Sequence, residues 1–332
     1  MNQMFRLIVS IVFIGLILLG PLYSQEKLAQ TGFQFLSVMP DARSASLAGA
    51  TTTMLTGSAS LWSNPAALGE MNIQMELMAS QNQWIADIDH YAVSAAYRPG
   101  QGRYGIFGLS FMYVDYGEIE GTMIAANEQG YIETGIIKPL AYAMGLGYGI
   151  RLSDKFSVGG QIKLVSQHLG PAVKTVNSPD GQNMIDNEVS VLAFDFGTRY
   201  ITGFRSLVFG MSVRNFSQEV RFAREGFQLP LTFNIGVSLN LLDFMPELSS
   251  RHGFIFSLDA THPRSYPEFA KFGLEYGFIN TFFLRFGYMS NRDEEDLAYG
   301  FGIQKFGLGV DYAYSQFGIF DNVQRFSIKF SF

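Results

Sequence analysis

The residue types that most often perform catalysis or bind metals are few and scattered in this sequence. None of the four histidines is in the H-x-x-x-H spacing typical of zinc sites; they are His90, His168, His252 and His262. The chain has no cysteine, which excludes disulfides, thiolate metal sites and cysteine nucleophiles. It also lacks the G-x-S-x-G sequence that presents a nucleophilic serine in lipases and esterases. We therefore predict no enzymatic activity, no cofactor and no metal.

Two other patterns resemble ligand sites but have simpler explanations. Gly145, Gly147 and Gly149 recur at every second position inside a predicted strand, whereas phosphate-binding glycines lie in a turn between a strand and a helix. The acidic run from Asp293 to Asp296 contains carboxylates that suit Ca²⁺, but its spacing matches no EF-hand loop. A solvated loop is the favoured interpretation of this run.

Composition narrows the class of protein. Charged residues make up 16% of the chain and aromatic residues 15%, with 31 Phe and 35 Gly. A soluble enzyme carries roughly a quarter charged residues, so this chain is unusually poor in charge. The net charge of −6 provides no basic surface for nucleic acid, and we predict no nucleic-acid partner.

The N-terminal segment has the pattern of a secretory signal peptide. Arg6 precedes an apolar run from Leu7 to Leu19, and Ser24 offers a small residue for cleavage. This run is about 13 residues long, whereas a spanning helix needs about 20. We predict that residues 1–24 are a signal peptide cleaved near Ser24, with an uncleaved anchor as the alternative. No other apolar run approaches that length, so insertion into a membrane requires a β-barrel.

From residue 73 onward, large apolar side chains alternate with small or polar ones. In Arg325–Phe332, phenylalanine or isoleucine occupies every second position, and arginine, serine or lysine lies between. Barrels that span membranes show this alternation, with apolar residues facing lipid and polar residues facing the lumen. We predict an all-β fold, a transmembrane antiparallel β-barrel of about 14 strands with an N-terminal luminal hatch. A soluble sandwich or soluble barrel, whose second face would be richly charged, is the alternative.

The predicted strands alternate between long and short connections. Even strand counts are typical of bacterial outer-membrane barrels with both termini in the periplasm, so we predict the outer membrane of a Gram-negative bacterium. Long connections at 115–138, 169–187 and 217–228 then face outward, and 241–252 is longer than expected for an inward turn. The alternating segments lie near 73–80, 90–98, 104–114, 139–151, 155–168, 188–201, 205–216, 229–240, 253–261, 269–278, 281–290, 296–304, 306–315 and 323–332.

Residues 25–70 are predicted to fold as a hatch, or plug, inside a barrel formed by residues 71–332. Register places glycines on the lumen face, which leaves room for an inserted segment or permits bends in the strands. It also places charges of both signs there, which either pair to hold the plug or simply line a polar interior. The predicted inward charges are Arg151, Lys163, Asp195, Arg199, Arg214, Asp259, Lys271, Glu275, Arg285, Asp311, Arg325 and Lys329.

Local signals indicate short turns within the plug. Asn64 and Pro65 fit the N-cap and first position of a helix, and Gly69 fits its end. Trp62 precedes this turn and is expected to pack it against the barrel wall. The stretch from Ala42 to Ala50 is rich in Ala, Ser and Gly, which suits a short helix or turn close to other backbone.

Aromatic residues end the last alternating strand. Phe330 and Phe332 lie on the same predicted face of that strand. A terminal aromatic residue of this kind is commonly recognised by the barrel-assembly machinery of the outer membrane. We predict that these two residues form the assembly signal, and that outer-membrane lipids and lipopolysaccharide surround the barrel.

Two plug motifs resemble those of a known family. Phe35-Leu36 with Asp41–Ala50 (DARSASLAGA), and Ser60–Leu68 (SLWSNPAAL), are similar to the opening motifs of the PorV/PorQ family of outer-membrane proteins, within the FadL-like barrels. The family's acidic pair between these motifs is replaced here by Thr56-Gly57 and neighbouring small residues. The positions that carry the resemblance, and thus the candidate hatch residues, are Arg43, Gly49, Trp62, Asn64 and Pro65.

The resemblance implies two alternative functions. The first is a non-enzymatic component of type IX secretion or surface-protein attachment, whose partners would be the secretion translocon, the attachment protein and the C-terminal domains of cargo. The second is a FadL-like channel for uptake of hydrophobic small molecules, which predicts an apolar pocket beside the hatch and a lateral opening in the wall.

Overall fold

The computed structural model describes residues 31–173, 184–221, 226–245, 247, 251–291, 296–320 and 322–332. The predicted signal peptide and cleavage position lie outside the described residues, as do the first three residues of the acidic run at Asp293–Asp296. Among the described residues, no helix is long and apolar enough to cross a bilayer.

Fourteen of the strands in the described part of the chain close into one antiparallel barrel, as predicted. The barrel order is β1-β2-β3-β6-β7-β8-β9-β12 and then β13 to β18 in sequence, with β18 returning to pair with β1. The strands are β1 (Met75–Gln83), β2 (Asp89–Tyr97), β3 (Ile106–Asp115), β4 (Ile119–Ile124), β5 (Tyr131–Ile137), β6 (Leu140–Ser153), β7 (Phe156–Val173), β8 (Met184–Ile201), β9 (Val208–Ser217), β10 (Val220–Arg221), β11 (Gly226–Phe227), β12 (Thr232–Asn240), β13 (His252–Pro263), β14 (Phe269–Phe278), β15 (Phe282–Met289), β16 (Leu297–Lys305), β17 (Leu308–Ser315) and β18 (Val323–Ser331).

The two ends of the barrel differ as predicted. One end, the long-connection end, carries the hairpin β4–β5 and the short pair β10–β11. The other, the short-turn end, has tight turns such as that between β16 and β17. The 3₁₀ turn Leu241–Phe244 lies on this end within the connection from β12 to β13, which is longer than the other short turns. By the rule for bacterial barrels, the long-connection end faces outward.

The two faces of the wall follow the alternation in the sequence. In β3, for example, burial alternates strictly along most of the strand, with Phe107, Leu109 and Phe111 exposed and Met112 buried. Exposed aromatic and aliphatic side chains on the outer face suit contact with lipid. The inner face is lined by glycine, serine and charged residues, which pack against the N-terminal segment.

That N-terminal segment, residues 33–70, is here called the plug. It contains the 3₁₀ helix Gln34–Ser37, helix α1 (Ala42–Ser46), and the 3₁₀ helices Gly57–Trp62 and Pro65–Glu70. Helix α1 contacts β15 to β18, Gly57–Trp62 contacts β1 to β3, and Pro65–Glu70 contacts β6 to β8. Because these contacts fall on opposite sides of the barrel and on the inward-facing residues, the plug lies inside the lumen.

Candidate functional site

Glycines on the inner face of the wall make room for the plug backbone. A Cβ added at Gly149 would lie 2.7 Å from the backbone nitrogen of Gly69, and one at Gly159 would overlap the backbone of Pro65. An added Cβ at Gly287 would overlap the backbone of Ala48, and one at Gly300 would overlap the side chain of Ser46. Of the two explanations given for the inward glycines, close approach of the plug therefore applies at these positions. Gly145 and Gly302 instead face the side chains of neighbouring wall strands: Gln161 and Ser110, and Asp311 and Arg285.

Asn64 joins two plug segments to the wall. Its side chain amide donates to the carbonyl oxygens of Thr52, at 2.7 Å, and Thr198, at 3.0 Å. Its oxygen accepts from the backbone nitrogen of Ala66, which is the N-cap interaction expected before Pro65. The predicted helix is a 3₁₀ helix that continues to Glu70, so the prediction that Gly69 ends it is wrong. Gly69 is small because the backbone of Ile150 lies against it.

Trp62 lies in an apolar cluster shared by plug and wall. It is 5% exposed and belongs to a group that includes Met78, Ala92 and Met112 from β1, β2 and β3. The plug contributes Phe33 to the same cluster. Burial of these large side chains stabilises the plug in the lumen, because removing one such apolar side chain from water contributes about 1.5–3 kcal/mol of free energy.

Arg43 forms a buried ionic network with the wall. Its guanidinium donates to both carboxylate oxygens of Glu275, at 2.9 and 2.8 Å, and to the carbonyl oxygen of Leu55 at 2.9 Å. Arg285 donates to the same carboxylate at 2.5 Å and to Asp311 at 2.6 Å. Burial acts to lower the pKa of Arg43, but the charges of Glu275 and Asp311 outweigh it, so the net shift is upward. The network therefore holds a permanently charged plug residue against β14.

A second ion pair fixes the other end of the plug. Glu70 pairs with Arg199 of β8 and accepts a hydrogen bond from Ser157 at 2.8 Å. The guanidinium of Arg199 also donates to the carbonyl oxygen of Thr53 at 2.8 Å. Of the two interpretations of the inward charges, pairing that holds the plug applies to this contact and to the Arg43 contact. Sequence reasoning identified Arg199 but missed Glu70, because nothing in the order of residues brings the two together.

The remaining predicted residues occupy simpler environments. Gly49 has a positive φ of 72° in the turn after α1, and a Cβ there would lie 3.4 Å from the Lys271 ammonium nitrogen. Phe330 and Phe332 have exposed side chains, and the backbone of Phe332 pairs with Met75 where the barrel closes. Arg151, predicted to face inward, is exposed at the short-turn rim and donates to backbone carbonyls there.

A cavity of about 420 Å³ lies between the plug and the wall at the long-connection end. Its lining comes from the 34–39 region of the plug and from wall and loop residues of several strands. The polar lining residues include Arg214, Lys271 and Arg325 together with His90 and Asn234. Apolar lining residues include Phe35, Leu36, Val38, Trp84, Met289 and Phe317. The channel hypothesis predicted a pocket beside the hatch, but the sequence did not identify its lining residues, because they come from separate parts of the chain.

The wall beside the plug is closed throughout the described strands. Each of the fourteen neighbouring strand pairs has a hydrogen-bonded ladder, and β8 and β9 shift register at Phe194 and Phe196 without separating. The apolar pocket predicted by the channel hypothesis is therefore present in a mixed form, whereas the predicted lateral opening is not seen in this part of the chain.

The cavity can bind a small molecule, and the plug obstructs the lumen. Within the ranges that the structure describes, no cluster of His, Asp or Glu could hold a metal ion. The four histidines stay apart: His262 pairs with Glu268, His252 contacts Tyr276, His90 lines the cavity, and His168 lies opposite Glu188 in the β7–β8 ladder.

Comparison with solved structures identifies the fold. The structure resembles the toluene transporter TbuX of Ralstonia pickettii, with a TM-score of 0.59 and 13% identity over 88% of this chain and 98% of that one. It resembles the CymD monoaromatic hydrocarbon channel with a TM-score of 0.58 and 13% identity over 88% and 97% of the two chains. For a FadL homologue of Pseudomonas aeruginosa, the TM-score is 0.53 and the identity 11%, over 88% and 98%.

These similarities establish that the chain has the fold of FadL-like outer-membrane barrels. No protein-family model matches the chain, and no curated protein matches it. The finer resemblance to the PorV/PorQ family therefore stays a prediction based on the two plug motifs.

Proposed function

We propose that this protein is an outer-membrane channel for the uptake of small hydrophobic molecules, in which residues 33–70 obstruct the passage until they move. The observation that carries the proposal is the cavity between plug and wall. A site of about 420 Å³ is within the range of about 300–1,000 Å³ typical of small-molecule pockets. Its position at the long-connection end places it where a solute arriving from outside would first meet the plug.

The fold agrees with this function. Structures with the same fold include a toluene transporter and a monoaromatic hydrocarbon channel, and both of these proteins carry small apolar compounds. Aromatic and aliphatic side chains such as Phe35, Val38 and Phe317 give the cavity an apolar surface suited to such molecules.

A solute can pass beyond the cavity only if the plug moves. The plug spans the lumen from the cavity to the short-turn end, where Pro65–Glu70 contacts β6, β7 and β8. The wall is closed beside it. A solute bound in the cavity therefore moves on when plug segments separate from the wall, and the ion pairs of Arg43 and Glu70 set the energy needed for that separation.

A transport assay with a filled cavity tests the proposal. Cells that express the protein in their outer membrane should accumulate labelled toluene faster than matched cells without it. Met289→Trp adds bulk to the cavity lining and should reduce this rate toward that of cells without the protein. Met211→Trp, a matched change on the lipid-facing surface, should leave the rate unchanged. Equal accumulation with and without the protein would remove the proposal.

A second candidate function is a role in type IX secretion or surface attachment, as a binding partner of the translocon, the attachment protein or cargo domains. The hairpin β4–β5 favours it, because Ile124 and Ile136 are 86% and 63% exposed at the long-connection end. Exposed apolar side chains of this kind suit contact with another protein. Recovery of secretion components or cargo domains with the intact protein in gentle detergent, lost on Ile124→Ser with Ile136→Ser, is the expected result for this role.

We also propose which partners surround and insert the barrel. Lipid and lipopolysaccharide contact the outer face, and the barrel-assembly machinery inserts the chain by recognising Phe330 and Phe332. Substitution of both phenylalanines by serine should lower the amount of folded barrel in the outer membrane, measured as the heat-modifiable form on a gel.

A further inference from the structure

A groove crosses the outer, lipid-facing surface of the wall. This outer groove has a volume of about 920 Å³ and is lined by six neighbouring strands, β1, β2, β3, β6, β7 and β8. Among the described residues, its lining includes no charged side chain. The large side chains that line it include Tyr97, Phe107, Leu146, Tyr148, Ile162 and Phe196. All six are exposed, so they face the surroundings of the barrel and not the plug.

Small residues form the hollow between these large side chains. Gly160 lies between Tyr148 and Phe196, which are its register partners in β6 and β8. Ala95 is likewise flanked by a leucine in each neighbouring strand. A Cβ added at Gly160 would meet its nearest atom at 3.4 Å, so a side chain would fit there. The hollow therefore comes from missing side-chain volume, because the strands on both sides stay paired.

The outer groove is long and narrow. Its six strands lie about 4.8 Å apart, so it extends about 24 Å across them. Along each strand the lining spans three positions or fewer, which corresponds to about 7 Å. This shape suits an extended hydrocarbon chain better than a compact ring.

One end of the outer groove lies at the short-turn rim, and the other lies deeper in the membrane. Tyr97 is the last residue of β2 and Phe107 the second residue of β3, beside the connection that joins these strands at the rim. Phe196, in contrast, precedes Ile201 at the end of β8 by five positions. Because barrel strands tilt by about 35–45°, a groove that runs across them climbs from the rim into the hydrocarbon layer.

The connection from β2 to β3, residues 98–105, is here called the basic turn. It contains Arg98 and Arg103 and no acidic residue. Arg98 donates to the carbonyl oxygen of Asn72 at 3.3 Å, and its Nε lies 2.9 Å from the position of a Cβ added at Gly102. The Arg98 guanidinium thus folds back over the turn toward Arg103. Within the described part of the chain, neither guanidinium is in an ion pair.

Printed contacts in the wall join the basic turn to the outer groove. The hydroxyl of Tyr148 donates to the carbonyl oxygen of Tyr104 at 3.1 Å, and the rings of Tyr148 and Phe107 lie 5.2 Å apart between centroids. Arg98 also follows Tyr97 directly in sequence. A lipid whose chain occupies the groove would therefore have its headgroup beside the cations of this turn.

We propose that the outer groove binds one phospholipid of the periplasmic leaflet, with an acyl chain in the groove and the phosphate at the basic turn. The apolar lining suits the chain, and arginine is well matched to the geometry and charge of a phosphate. The short-turn end faces the periplasm, which favours a phospholipid over lipopolysaccharide as the occupant. This inference goes beyond the proposed channel function and does not depend on it.

Native mass spectrometry of the purified full-length barrel tests the site. The protein is stripped of lipid in detergent and titrated with dioleoylphosphatidylglycerol or with dioleoylglycerol, which has the same chains and no phosphate. The first equivalent of phosphatidylglycerol should bind at least about tenfold tighter, since hydrogen bonds to a charged group are worth roughly a factor of ten or more.

Two pairs of variants locate the lipid. Gly160→Trp should weaken binding of both lipids about tenfold or more, because the indole takes the place of buried chain in the hollow. Ala260→Trp is the matched control on the exposed outer face of β13 and should change neither.

Arg98→Gln combined with Arg103→Gln should remove the preference for phosphatidylglycerol and leave dioleoylglycerol binding unchanged. Its control is Arg251→Gln combined with Lys305→Gln, which removes two exposed cations from other connections at the same end and should keep the preference. Heat-modifiable migration on a gel verifies that each variant is folded.

Equal binding of the two lipids by the unsubstituted protein would overturn the inference, and this comparison does not depend on any variant folding. Binding that never saturates at one equivalent would overturn it as well, because it would indicate only the lipid layer that surrounds any barrel. Equal effects of Gly160→Trp and Ala260→Trp would rule out the groove, and recovery of lipopolysaccharide in place of phospholipid with the protein as isolated would rule out this occupant.

Discussion

Single residues of the plug carry much of its attachment to the wall. Arg43 and Glu70 reach different strands through buried ion pairs, and Asn64 ties Thr52 of the plug and Thr198 of the wall to one amide. Removing one member of a buried pair leaves the other charge without compensation, which costs more than the pair itself contributes. The residue-scale predictions follow from this asymmetry.

Arg43→Ala should destabilise the barrel by about 1.5–3 kcal/mol, because Glu275 is 4% exposed and would lose its bidentate partner while it keeps its contact with Arg285. The measurement is the free energy of unfolding in urea with the protein in detergent micelles. Arg221→Ala is the matched control, since its ion pair with Glu219 is exposed and should contribute below about 1 kcal/mol. Equal effects of the two substitutions would contradict a role for Arg43 in holding the plug.

Asn64→Ala should cost about 2–4 kcal/mol, because it removes a helix cap and leaves two buried carbonyl oxygens without their donor. The comparison is Asn240→Ala, which removes a cap at the more open short-turn rim and should cost about 1 kcal/mol. Thermal unfolding followed by circular dichroism measures both. Toluene uptake by Asn64→Ala or Trp62→Ala cells at the unsubstituted rate would argue against gating by this part of the plug.

At the scale of elements, the wall and the plug are complementary in shape. Strands β6, β7 and β15 present glycines where plug backbone approaches, and β16 presents Gly300 where the side chain of Ser46 approaches. Close packing of this kind leaves little space, so one added methyl group destabilises the contact when the neighbouring atom belongs to the backbone.

Gly159→Ala should displace the Pro65–Glu70 segment, because the added methyl group would overlap the backbone of Pro65 and Ala66. Limited proteolysis of the folded protein should then cut the plug faster. Gly160→Ala, one position along the same strand, is the control, since its methyl group would meet the nearest atom at 3.4 Å. Indistinguishable digestion of the two variants would show that plug position does not depend on this glycine.

Strands were predictable from sequence where one face meets lipid and the other meets the lumen. All fourteen barrel strands lie where the alternation placed them, with ends shifted by a few residues, because a period of two is enforced along each of them. The hairpin β4–β5 was read only as a long connection, since both of its faces are largely exposed and its residues show no alternation.

The candidate site was predictable only in part. Asn64 and Pro65 form a local turn, so their neighbours in sequence were enough to identify the cap. The contact of Arg43 with Glu275 joins residues 232 positions apart, and the cavity gathers residues from the plug and from many strands. Such contacts depend on barrel closure and register, which the sequence pattern of a single segment does not specify.

At the scale of the whole molecule, the barrel is closed and the plug fills its lumen. The cavity lies between the plug and the wall at the long-connection end. A closed wall directs a solute through the lumen, where the plug is the obstacle. The central claim is therefore that the plug leaves its position against the wall when a molecule passes.

A reversible tether between plug and wall tests this claim most directly. The chain has no cysteine, and the hydroxyls of Ser58 in the plug and Ser94 in β2 lie 2.8 Å apart, so Ser58→Cys with Ser94→Cys places two thiols in position for a disulfide. The control joins two wall strands through Ser166→Cys with Ser190→Cys, whose hydroxyls lie 3.0 Å apart.

The measurement is toluene accumulation by cells that carry each variant, first oxidised and then reduced. Oxidation of the plug tether should lower the rate to that of cells without the protein, and reduction should restore it, whereas the wall tether should have no effect in either state. Undiminished uptake through the oxidised plug tether, with the disulfide verified by mass spectrometry, would contradict the claim that the plug must move.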